Sequence, residues 1–135
     1  QSLIYTVTGS EGANIRSINI STRKITQLIS SNYSNTTVAL SPDGSQIVYQ
    51  EMLPGDHYGI YLASMTNLSN PRLIVDGNPV VVTRPYWSPD GKWLIASVYD
   101  ESISTELGTM TLINVDTCQI IPLLNLSGHV TSWIP

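Results

Sequence analysis

Three observations predict an all-β fold built from tandem repeats. Ser41-Pro42-Asp43-Gly44 recurs as Ser88-Pro89-Asp90-Gly91, 47 residues later. At the same offset each copy is followed by an alternating apolar run, Ser45-Gln46-Ile47-Val48-Tyr49 and Lys92-Trp93-Leu94-Ile95-Ala96. Elsewhere, short apolar stretches stand between clusters of Gly, Pro, Asn, Asp and Ser, as strands do, and no segment sustains a helical period. A fixed period of about 40 to 50 residues is the signature of solenoids and propellers.

The repeat sets the expected elements. Gln1-Ser2-Leu3-Ile4-Tyr5 aligns with Ser45 to Tyr49, and Ser132-Trp133-Ile134-Pro135 aligns with Tyr86-Trp87-Ser88-Pro89. The chain is therefore read as one domain, residues 1–135, holding three repeats at about 1–44, 45–91 and 92–135. Four short strands are expected in each. The first repeat gives Leu3 to Thr8, Ile15 to Ile20, Ile25 to Ile29 and Thr37 to Leu40. The second gives Gln46 to Gln50, Gly59 to Ser64, Arg72 to Val75 and Arg84 to Trp87. The third gives Trp93 to Tyr99, Thr109 to Val115, Gln119 to Leu124 and Val130 to Trp133. Glu101 to Leu107 is the one place for a short helical turn, and Ile103, Ser104 and Thr105 weaken it.

Turn chemistry explains why the motif recurs. In Ser-Pro-Asp-Gly the proline presets φ near −65°, the aspartate bonds nearby backbone, and the glycine accepts positive φ. A tight hairpin with one residue left for a bulge follows. Asp43 and Asp90 are thus read as turn formers rather than metal ligands or catalytic acids, since no second carboxylate stands at ligand spacing.

Composition suits a small β domain. Hydrophobic residues make up 41% of the 135 and charged residues only 12%, while Ser and Thr together supply 30. No apolar run approaches the ~18 residues of a membrane span, and no signal peptide is read. A net charge of −4 offers no basic footprint for nucleic acid. Phe is absent, so Tyr, Trp, Ile, Leu and Val must fill the core. Cys118 stands alone and is read as a buried small hydrophobe.

The run Arg84-Pro85-Tyr86-Trp87-Ser88-Pro89-Asp90-Gly91-Lys92-Trp93-Leu94-Ile95-Ala96, with strands such as Gly59-Ile60-Tyr61-Leu62-Ala63 and Met110-Thr111-Leu112-Ile113-Asn114-Val115, resembles the repeats of TolB-type, WD-like β-propellers. The first repeat departs by carrying Leu40 where the others have Trp87 and Trp133. The resemblance implies a β-propeller of three four-stranded blades, either half of a six-bladed ring or a fragment of a longer propeller. It places the strand that enters Ser-Pro-Asp-Gly innermost in its blade. Leu3 to Ile29 would then lack an inner strand, and Val130 to Trp133 would lack its outer ones. Two copies closing a six-bladed ring by strand exchange, a homodimer, is one way to complete both. A bacterial, periplasmic or extracellular setting is also implied.

Function is sought in the loops, because a fold does not assign one. Counted outward from the innermost strand of each blade, the connections between second and third strands hold Glu11, Glu51, Asp56, Asp100, Glu101 and Glu106, six of the ten acids. His57 and His129 fall on the same expected rim, and Arg23 and Lys24 on the opposite one. An acidic rim suits a basic partner or a cation, or simply keeps loops soluble. Arg84 and Tyr86, on an innermost strand, are the expected channel contacts, with a structural ion pair to an adjacent acid the alternative for Arg84. The binding candidates are therefore Arg84, Tyr86, Glu51, Asp56, His57, Asp100, Glu101 and His129.

No Gly-X-Ser-X-Gly elbow, phosphate-binding glycine loop or metal-ligand spacing is found, and no cofactor is expected. The leading expectation is a non-catalytic scaffold that binds a protein or peptide, with no nucleic acid and no membrane insertion. The alternatives are the gating propeller of a larger enzyme similar to prolyl oligopeptidase, and an inert stretch of a surface or sensor protein.

Overall fold

The computed structural model describes the backbone of residues 1–10, 12–31, 37–53, 57–76, 80–100, 109–127 and 133, and their side chains except at 53, 57, 80–84, 98–100 and 124–127. All eleven elements are strands, and no helix occurs among the described residues. The strands are β1 (Ser2–Gly9), β2 (Gly12–Asn19), β3 (Ile25–Ser31), β4 (Val38–Leu40), β5 (Gln46–Leu53), β6 (His57–Ser64), β7 (Asn67–Asp76), β8 (Val80–Trp87), β9 (Trp93–Asp100), β10 (Thr109–Asn114) and β11 (Ile120–Ser127).

They form three antiparallel sheets. The first is β1-β2-β3, the second β4-β5-β6-β7 and the third β8-β9-β10-β11. Four strands in every sheet, the sequence expectation, holds for the second and third but not for the first. The reason is local. The strand that enters Ser41–Gly44, which the resemblance makes the innermost of the next blade, turns forward and pairs Val38, Ala39 and Leu40 with Tyr49, Val48 and Ile47 of β5, so the first sheet lacks an inner strand as the resemblance implies. A hairpin of four turn residues forms at less entropic cost than a long return to β1. The sheets are therefore offset by one strand from the sequence repeats. Of the strand expected at 130–133 only Trp133 is among the described residues, outside any strand; Glu101 to Leu107 also lies outside them.

Period-two patterning divides the core. On the second sheet Ile47, Tyr49 and Ala63 join Ile15 of the first sheet in one cluster, against which Ile4, Leu28, Ile29 and Tyr61 pack. The intervening residues Val48, Ile60 and Leu62 point the other way and join Trp87, Leu94, Ala96 and Ile113 of the third sheet. The middle sheet is thus buried on both faces, which is why its strands read as continuous apolar runs. Burying a side chain of this size contributes about 1.5 to 3 kcal/mol.

Prolines fall where a missing N–H does least harm. Pro71 lies on β7, Pro85 on β8 and Pro122 on β11, each an edge strand of its sheet, and an edge strand need not donate on its open side. Pairing shifts register between Thr83 and Tyr86 around Pro85.

Candidate functional site

Both Ser-Pro-Asp-Gly segments fold into the same carboxylate-centred turn. Gly44 N–H donates to the Ser41 carbonyl at 2.9 Å and Gly91 N–H to that of Ser88 at 2.9 Å, with the glycines at φ 74° and 69°. Asp43 Oδ1 accepts from the Ser41 hydroxyl at 2.6 Å and from Ser45 N–H at 3.0 Å, and its Oδ2 from the Ser45 hydroxyl at 2.7 Å. Ser41 Oγ in turn accepts from Gln46 N–H at 2.9 Å. The second copy repeats this: Asp90 Oδ1 accepts from Ser88 Oγ at 2.5 Å and Lys92 N–H at 3.1 Å, and Ser88 Oγ accepts from Trp93 N–H at 2.9 Å. These donors, the serine hydroxyls first, lower the Asp43 carboxyl to about 2 and hold Asp90 below its ordinary value. Their bonds begin β5 and β9 in register.

A groove of about 540 Å³ opens where the three leading strands meet. Thr6 of β1 forms one side, Val38, Ala39 and Leu40 of β4 the floor, with Pro42 at one end, and Pro85, Tyr86 and Trp87 of β8 the far side. β1, β4 and β8 are each the edge strand of a sheet, so the groove runs along strand edges. Trp87 Nε1 donates across it to the Ala39 carbonyl at 3.2 Å, joining the second and third sheets. Leu40 and Trp87 occupy matching positions, yet Leu40 is 42% exposed and Trp87 only 8%. Trp87 packs beside β4, whereas the first sheet has no corresponding strand to cover Leu40.

Tyr86 is the one expected binding residue whose side chain the groove contains. Arg84 lies two residues before it on β8; its side chain is outside the described residues. Glu51, His57 and Asp100 lie on the rim opposite the Ser-Pro-Asp-Gly turns. Glu51 pairs with Gly59, His57 with Leu53, and Asp100 with Val80, all near the far ends of their strands. Asp56, Glu101 and His129, with Glu11 and Glu106, lie outside the described residues. Beside Glu51, Tyr49 and Tyr61 stack across strands with centroids 5.6 Å apart. Burial first, then the Glu51 charge, pushes the Tyr49 phenol up to about 12 and raises Tyr61, so both stay neutral. No group of three His, Cys, Asp or Glu side chains gathers among the described residues.

Two features escaped the sequence reading. The β2–β3 and β10–β11 connections are a second repeated turn. Asn19 Oδ1 accepts from Ser21 and Thr22 N–H, and Asn114 Oδ1 from Asp116 and Thr117 N–H. Arg23 and Cys118 take the left-handed positions, at φ 57° and 58°. The recurrence of Asn-X-X-Thr at 19 and 114, two repeat lengths apart, was its available signal. The other is Arg72 of β7, whose guanidinium reaches the Val115 carbonyl, Cys118 Sγ at 3.1 Å and, at 3.5 Å, the Asp116 carbonyl of the third sheet. Cys118 is half-buried there rather than fully enclosed.

Repeated sheets packed face to face, with leading strands gathered round a common groove, define a protein of the propeller-repeat kind. Its fold is that of TolB-type propellers. The TolB structure from Acinetobacter baumannii superposes with a TM-score of 0.75 at 19% identity, covering 91% of this chain and 29% of that one. The putative TolB from Agrobacterium tumefaciens gives 0.76 at 21%, covering 90% and 44%. An acylaminoacyl peptidase from Pyrococcus horikoshii gives 0.61 at 14%, covering 91% and 24%. The chain spans less than half the length of either TolB structure. No protein-family model matches it, and no curated protein does.

Proposed function

We propose that the chain is a non-catalytic propeller scaffold that holds an extended segment of a protein partner along the groove between β1, β4 and β8. The observation that carries this reading is the groove itself. Its walls are strand edges, which recognise an extended backbone, and mostly apolar or aromatic side chains with Thr6 and Thr37 among them; Tyr86 is the one ionisable group of the described lining. Its volume is in the range of binding clefts, about 300 to 1,000 Å³.

In this reading the three sheets are consecutive blades, the first short of its innermost strand, and ring closure comes from further blades. The likeness to TolB structures supports a bacterial, extracytoplasmic setting. The likeness to the acylaminoacyl peptidase structure supports a second reading, in which the chain is the propeller portion of a larger hydrolase. A Gly-X-Ser-X-Gly elbow in the same gene would decide for that one.

The groove is tested by panning a random decapeptide library on the immobilised chain, with Leu40→Asp as the counter-target. Peptides are expected that prefer the wild type by at least about tenfold, because a charge in an apolar wall must be desolvated. Peptides held equally by both chains, or none enriched, overturn the reading.

A further inference from the structure

The edge of β4 that faces the groove carries two residues whose main-chain groups bond to no other described residue. Ser41 N–H donates to the Gln46 carbonyl at 2.9 Å and Gln50 N–H to the Thr37 carbonyl at 3.0 Å. Thr37 and Ser41 are therefore hydrogen-bonded partners of the strand beside them. Antiparallel pairs alternate between bonded and non-bonded, and the β4–β5 register runs without a shift. Ala39, opposite Val48, is then the bonded residue between those two, while Val38 and Leu40 turn their N–H and C=O groups to the other side. β4 is an edge strand, and both residues line the groove. Two donors and two acceptors thus stand there at the spacing of a strand ladder, about 7 Å apart.

β8, across the groove, is a poor template. By the same alternation, the Ser88 N–H bond to the Trp93 carbonyl at 2.8 Å leaves Trp87 facing outward. The next residue of that phase is Pro85, which has no N–H, and pairing slips between Thr83 and Tyr86. β8 therefore serves as a wall.

Charge favours one direction along β4. The described lining holds no charged side chain, so it suits uncharged residues. At the Pro42 end the two Ser-Pro-Asp-Gly turns meet, and a β-carbon on Gly91 would stand 3.9 Å from Pro42 Cδ. Asp43 and Asp90 bring two negative charges to that end, and Lys92, beside Asp90, offsets one. β4 runs toward Pro42, so an antiparallel strand would begin there.

We infer that the segment held in the groove pairs with β4 as a fifth, antiparallel strand of the second sheet. This rests on the groove being the binding site. Two residues of the segment, i and i+2, exchange N–H···O=C bonds with Leu40 and Val38, and residue i+1 turns its main chain away. The three side chains are uncharged, and a basic residue precedes them, toward Asp43 and Asp90. All the groups involved belong to the second and third sheets and their turns.

The test is an N-methyl scan of the decapeptide that best separates wild type from Leu40→Asp, with each amide nitrogen methylated in turn and binding read by fluorescence anisotropy. Methylation removes one N–H and leaves every side chain in place. Two positions with one residue between them are expected to lose at least about tenfold in affinity, because a carbonyl of Val38 or Leu40 is left without its donor. The position between them should lose less than about threefold. A flat scan, or losses at adjacent positions, overturns the pairing. Moving a lysine from the N-terminal to the C-terminal end of the peptide should weaken binding, more so in dilute buffer than at high salt. A lysine held equally well at either end, or better at the C-terminal end, overturns the antiparallel direction. A peptide sensitive to Leu40→Asp with a flat scan leaves the groove standing and removes the added strand, whereas the absence of any such peptide removes both.

Discussion

The first and second sheets use the same residue types at the same register and meet opposite fates. Ile47 and Leu3 begin equivalent strands, one inaccessible and the other more than half exposed. The second sheet has a neighbour on each face and the first has one. The alternating pattern thus specifies a surface fit for burial, while the neighbour decides whether burial occurs. Within this chain the free-energy value of an apolar side chain is set by its place in the stack rather than by its strand.

Five measurements break or sharpen that contrast. Ile47→Ala should cost the most, about 2 to 5 kcal/mol in urea unfolding, because it opens a cavity between two sheets. Gly44→Ala comes next. A left-handed β-carbon costs about 1 to 2 kcal/mol, and the turn it strains begins the second sheet. Trp87→Phe should lose about 1 kcal/mol with the bond to the Ala39 carbonyl.

The acid limb of unfolding should shift more modestly. Asp43 and Asp90 have folded values below their unfolded ones. Their contribution is therefore complete above the ordinary carboxylate range and fades as pH falls below it, for Asp43 toward about 2. An Asp43→Asn, Asp90→Asn double variant should start less stable at neutral pH and lose less between pH 4 and 2, read from urea midpoints at each pH. Leu3→Ala should change least, within about 0.5 kcal/mol, since Leu3 is more than half exposed. A loss there as large as that of Ile47→Ala would mean that the first sheet is already covered within one chain.

Much of this architecture is legible in the sequence where the cause is local. Ser-Pro-Asp-Gly announces a hairpin because every bond of the turn lies within five residues. Alternation announces the strands for the same reason. What stays hidden is relational. Nothing in Leu3-Ile4-Tyr5 as a string separates it from Ile47-Val48-Tyr49, so exposure of the first sheet could not be read from it. The Asn19 and Asn114 turns were concealed by Arg23 and Cys118, which stand where glycine would have flagged a left-handed residue. Arg72 acts on residues 43 to 46 positions away, a range at which no spacing rule applies. In the candidate site, Tyr86 was legible because its strand leads into the repeated turn. The proline and threonine walls were not, since a groove between sheets has no signature in any one of them.

The Arg72 contact has a mechanical meaning. The second and third sheets are tied at the groove by Trp87 and Ala39, and at their opposite margins by Arg72 and the β10–β11 turn. Two ties at opposite ends of a wedge fix its opening angle, where one would leave a hinge. The angle between successive sheets determines how many are needed to come full circle, so a single surface arginine helps set the curvature of any assembly built from this unit.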